Sequence, residues 1–149
     1  MGEITNLNIA TGLREFNLNG KVTVTFNPTD QGFIEKVYHA FDELDKQQSE
    51  VKERVDGADL DGTFALMREM NERMKTILND LFGVDIVTPL IGNTSLYALS
   101  DGAPIWCNIL FAVLDTMEDE IAEQNKKSRA RMLKYTAKYE AEDHKKKNK

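Results

Sequence analysis

Three stretches of this chain place apolar residues three and four positions apart, which is the period of one face of an α-helix. The first carries Phe33, Ile34, Val37, Phe41 and Leu44. The second carries Phe64, Met67, Met70, Met74, Ile77, Leu78 and Leu81, with Gly83 as its stop. The last follows Pro104, a residue suited to a first helical turn, with Ile105, Trp106, Ile109, Leu110, Val113, Leu114, Met117 and Ile121. Each stripe must be buried against another element, so the chain folds as a helix-dominated domain. The expected helices cover residues 31–55, 63–82 and 104–138. The last would be roughly 50 Å long at about 1.5 Å per residue, longer than a small domain is wide, so its end should project.

Residues 13–26 have the other period, two, and read as a β-hairpin around Leu18-Asn19-Gly20. A two-residue Asn-Gly loop would put Phe16 on the face opposite Val22, Val24 and Phe26. A three-residue loop, Leu18 to Gly20, pairs Phe16 with Val22 and gathers all four on one face, which lets the hairpin dock. The preferred turn is therefore type I with Gly20 in the left-handed bulge position. Asn27-Pro28-Thr29-Asp30 ends the strand, and Thr29 or Asp30 caps the first helix. The stripe of that helix thins beyond Leu44, so its second half reads as a solvated extension. Asp56 to Gly62 is a break. The stretch from Val84 to Gly102 reads as a connector with a short helical turn near Asp85 to Leu90. The fold class is thus α+β: an N-terminal hairpin packed on three principal helices, with a projecting basic C-terminal tail. One domain spans residues 1–139, and residues 140–149 are expected to be a disordered basic tail.

A chain of 149 residues, 41% hydrophobic and 30% charged, can bury one core and is neither disordered by composition nor built for a bilayer. It holds no apolar run of about 18 residues, so no membrane contact is expected. Met1 to Ala10 lacks the basic start and apolar stretch of a secretion signal, and the single cysteine, Cys107, suits a reducing cytosol. The net charge of −6 hides a division. From Lys126 onward there are ten Lys/Arg against three acids, whereas the first 125 residues carry nine bases against 22 acids. Such a tail is a solvated end, a nucleic-acid contact or a device for docking on an acidic partner.

Signs of catalysis are missing. Aligning Gly62 as the sixth residue of a calcium loop puts Gly57 first and Arg68 twelfth, where ligating oxygens are required. Cys107, His39 and His144 lie far apart and lack zinc spacing. No nucleophile elbow, phosphate-binding glycine loop or dinucleotide fingerprint occurs. Asn93-Thr94-Ser95 is a turn rather than a glycosylation site in a cytosolic protein. The expectation is a binding protein without catalytic residues, metal or cofactor. Its methionines serve the core at helical spacing, but where stripes outrun the core they suit varied apolar partners. Met70, Met74, Met117 and Ile121 are the candidate partner contacts. Lys126, Lys127, Arg129, Arg131 and Lys134 mark the basic tail.

The order of parts also carries a resemblance. A short hairpin ends in Phe26-Asn27-Pro28-Thr29-Asp30; amphipathic helices follow; then come Leu81-Phe82-Gly83, the turn Gly92-Asn93-Thr94-Ser95-Leu96, a long helix, and a basic end with Arg129, Arg131 and Tyr135. This resembles the tail assembly chaperones encoded in tail modules of siphophages and prophages of Gram-positive bacteria. The likeness covers about Leu13 to Tyr139. Met1 to Ala10 and the Gln47 to Asp61 stretch depart from shorter members. The resemblance implies a protein of the bacterial host cytoplasm that coats the tape measure protein before the tail tube polymerises. Contacts with other tail proteins and self-association are compatible with it. It also implies a longer product made by ribosomal frameshift, for which Lys145-Lys146-Lys147-Asn148-Lys149 would supply an adenine-rich site. The alternative is a small phage or prophage regulator that contacts nucleic acid through its basic tail. The acidic body and the scarcity of interleaved aromatics make nucleic acid the lesser expectation.

Overall fold

A computed structural model describes the backbone of residues 2–147 and the side chains of residues 2–138. The hairpin is built from β1 (Arg14–Leu18) and β2 (Val22–Phe26), paired antiparallel. Its helices are α1 (Gln31–Val55), α2 (Leu60–Phe82), the short α3 (Val87–Ile91) and α4 (Ile105–Lys147). A second small hairpin, β3 (Leu99–Ser100) with β4 (Ala103–Pro104), precedes α4. The architecture is α+β and helix-dominated, as the two periods require.

Phe16 faces Val24 and Leu18 faces Val22, a register two residues away from the expected Phe16–Val22 pairing. Because side chains alternate with period two, a shift of two leaves every residue on its expected face. The cause lies in the turn. Asn19 and Gly20 both have positive φ, 55° and 71°, so the turn is of the primed kind rather than type I. The Lys21 N–H donates to the Leu18 carbonyl at 3.0 Å, and Lys21 is the extra residue between turn and ladder. The apolar face docks as expected: Val24 and Phe26 are buried, and Phe26 stacks on Phe33 of α1 at 4.6 Å.

Asp30 caps α1 by accepting the Gly32 N–H at 3.0 Å. Four residues then connect α1 to α2, which pack along each other. α2 begins three residues before the expected Thr63, because Asp59 caps it through the Gly62 N–H at 2.7 Å. Gly62 thus sits within the first turn instead of breaking it. Gly83, at φ 73°, ends α2 and returns its N–H to the Asn79 carbonyl. The presumed connector is more ordered than its sequence suggested. Asn79 Oδ1 accepts the N–H groups of Ile86 and Val87 at 2.9 and 3.3 Å, pinning the start of α3. Asn71 Oδ1 accepts the Leu96 N–H at 2.8 Å. Asp101-Gly102, both left-handed, turn the β3–β4 hairpin.

The core joins Leu44, Met74, Leu78, Ile86, Leu96, Trp106 and Leu110, with Val24 and Phe26 at one end. Trp106 is 2% exposed, and its indole N–H donates to Gln48 Oε1 at 2.7 Å, which satisfies the one polar atom of a large apolar group. The extended half of α1 is therefore not wholly solvated: Val51 is buried and Gln48 holds the tryptophan.

α4 has 43 residues, about 65 Å of helix. Among the described residues its buried positions end at Met117, and from Ile121 to Lys138 every residue is exposed. The tail expected to be disordered from 140 onward is helical through Lys147; residues 148 and 149 lie outside the described residues. No glycine or proline occurs between Ile105 and Lys147, and lysine, arginine, alanine and glutamate are good helix formers. The helix therefore propagates past the last core contact.

Candidate partner-binding surfaces

The methionine assignment needs correction. Met70, Met74 and Met117 are 3%, 0% and 2% exposed and belong to one core cluster. They cannot meet a partner without unfolding, because the α2 stripe is covered by α1 and the start of α4 lies over the same interior. Ile121 alone of the four reaches solvent, at 37%, where α4 leaves the body. Lys126, Lys127, Arg129, Arg131 and Lys134 are exposed on the projecting arm, together with Lys138.

Two surfaces offer apolar contact instead. The first is a cleft of 540 Å³ between the hairpin, α3 and the first turns of α4. Phe16 and Leu18 form one wall, Leu90 and Ile91 the end, and Ile105 and Ile109 the other wall. Asn17, Asn19, Ser100 and Asn108 place polar groups along its rim. Asn108 is held by donating its side-chain amide to the Ser100 carbonyl at 2.9 Å. The hairpin wall is fixed to α4 by an ion pair between Arg14 and Glu120, and the Arg14 guanidinium sits 4.9 Å from the centre of the Phe16 ring. That Arg14 hydrogen bond holds the Glu120 carboxyl below the usual carboxylate range. An apolar cleft with a few polar groups on its rim suits an apolar segment whose backbone needs hydrogen-bond partners.

The second surface is the arm itself. Met132, Leu133 and Tyr135 are exposed among the cations, and the Arg131 guanidinium lies 5.9 Å from the Tyr135 ring centre. In the sequence these apolar residues stand among lysines and arginines beyond the last stripe. The cleft escaped notice because its walls come from three separated segments, each of which reads as ordinary core.

The titratable groups show no catalytic arrangement among the described residues. Cys107 is buried; desolvation and the nearby Asp45 charge push its thiol pKa up, which disfavours the nucleophilic thiolate. Asp85 is held below the usual carboxylate range by hydrogen bonds, chiefly from the Thr88 backbone N–H. Its role is to cap α3, with Asn79 donating to it at 3.0 Å. No group of three or more His, Cys, Asp or Glu among the described residues is placed to hold a metal ion, and no helix there is long and apolar enough to cross a membrane.

Comparison with known proteins finds no matching family model, no matching curated protein and no matching solved structure.

Proposed function

We propose that this protein is a tail assembly chaperone that binds apolar helical segments of a tape measure protein and keeps them soluble before the tail tube polymerises. The observation that carries the reading is the open apolar cleft between hairpin and α4; exposed Ile121 and Met132 add separate apolar positions on the arm. An amphipathic segment laid into such a cleft buries a stripe that would otherwise aggregate. The site binds rather than catalyses, and it needs no cofactor or metal. Modest affinity, about −8 kcal/mol or micromolar, suits a chaperone that must later leave. The order of hairpin, helices and basic end supports the assignment to this class.

The test is co-expression with the candidate tape measure protein. The wild-type chain should keep it soluble. Ala112→Lys, at an exposed position lining the cleft, should abolish the rescue while the chain stays folded. Full rescue by that variant refutes the cleft, and an insoluble tape measure beside folded wild type refutes the function. The regulator reading draws on one observation, the run of exposed cations from Lys126 to Lys138. It would replace the chaperone if the wild-type chain shifted duplex DNA at physiological salt while failing to rescue.

A further inference from the structure

The arm and the body carry opposite charge and, within one molecule, cannot meet. From Gln124 to Lys138 there are six Lys/Arg and no acid. Lys127, Arg131, Lys134 and Lys138 recur at helical spacing on one face, with Tyr135 beside them. An open groove of 810 Å³ runs between α1 and α2. Its floor is apolar, from Ala40, Ile77 and Leu81, and Glu35, Glu43 and Asp80 line it with Thr76, His39 and a single lysine, Lys36. Glu43 and Asp80 make no ion pair among the described residues, and Glu35 reaches only His39, at 3.8 Å. α4 packs on the other side of α1, where Phe41 meets Trp106 and Phe111. A continuous helix leaving the body at Ile121 cannot return to the far side of α1.

We propose that the basic arm of one copy docks in the acidic α1–α2 groove of a second copy. The lengths agree: Glu35 to Glu43 covers about 12 Å of helix, and Lys127 to Lys134 about 11 Å. Lys127, Arg131 and Lys134 then meet Glu43, Glu35 and Asp80, while Tyr135 covers the apolar floor. The contact joins two different surfaces, so it runs head to tail and adds copies until a ring closes or a chain grows. It is independent of what the cleft binds.

Sedimentation of the purified full chain tests it, with nuclease treatment and without any tape measure protein. The wild type should self-associate at low salt and weaken on the order of tenfold or more at high salt. Lys127→Glu/Arg131→Glu/Lys134→Glu should be monomeric, and so should Glu43→Lys/Asp80→Lys, both with wild-type circular dichroism. Mixing the two variants should give the decisive result. The reversed groove meets the reversed arm and the two unchanged surfaces meet each other, so association should return only in the mixture. A wild-type chain that stays monomeric at low salt overturns the proposal. So does association that survives either reversal alone, or that disappears with nuclease because nucleic acid bridged the arms.

Discussion

Met74→Ala distinguishes a core methionine from a partner-binding one. Met74 is fully buried within the cluster formed by α1, α2 and α4. Truncation removes buried side-chain atoms and leaves a cavity that close-packed neighbours fill only in part, which costs about 2–5 kcal/mol. Against a total stability of about 5–15 kcal/mol, that is a large share. For a chain of this size it corresponds to a fall in Tm of roughly 5–20 °C. Trp106, the only tryptophan, reports unfolding directly because it is 2% exposed when folded. Urea titration followed by its fluorescence should show a lower midpoint with an unchanged slope. Met132→Ala, on the exposed arm, is the matched control and should stay within about 0.5 kcal/mol of wild type. If Met74→Ala were as neutral as Met132→Ala, the α2 stripe would face solvent and the packing of α2 on α1 would be wrong.

Asn79→Ala removes the acceptor for two backbone N–H groups at the start of α3 and should destabilise by about 1–3 kcal/mol in the same titration. Asp85 has a folded pKa below its ordinary 3.8, so its contribution is complete above that value and is lost as pH falls through the folded pKa. The stability gap between wild type and Asp85→Asn, measured by urea titration from pH 7 downward, should therefore hold steady near neutrality and shrink below about pH 4; a gap that widens there reverses the sign. Ala130→Pro should break the arm helix, lowering the far-UV helical signal, yet leave the Trp106-reported midpoint unchanged because no core residue lies beyond Met117 among the described residues. A shifted midpoint would mean that the arm packs on its own body.

The elements legible in the sequence are those whose signal is local. The stripe from Phe33 to Leu44 and the one from Phe64 to Leu81 each specify a helix and its inward face, and both pack inward as read except at Phe64, which is 52% exposed. The hairpin's face was equally legible, since Phe16, Val22, Val24 and Phe26 must share a side. Its register was not, because shifts of two residues preserve the face and only the positive φ of Asn19 selects between them. Asp101-Gly102 offered the same primed-turn signal for β3 and β4, obscured by strands of two residues each. The cleft depends on Leu18, Leu90 and Ile109 converging from distant segments. No periodicity encodes that convergence.

Methionine is where the local signal is ambiguous, and the ambiguity has a physical origin. Its flexible, polarisable side chain fills irregular cores and adaptable binding surfaces equally well, so Met74 and Met132 look alike in a stripe. What separates them is whether another element covers the helix. α1 covers α2 along Met70, Met74 and Leu78, whereas among the described residues nothing covers α4 from Ile121 to Lys138. Charge marks that boundary. Lys126 onward is densely cationic, and a helix so charged gains nothing from burial against its own body. The arm's composition thus permits helix without permitting core. Met132 and Tyr135 on such a helix are exposed where Met74 is not, and the same helical spacing accordingly means packing up to Met117 and exposure from Ile121 to Lys138.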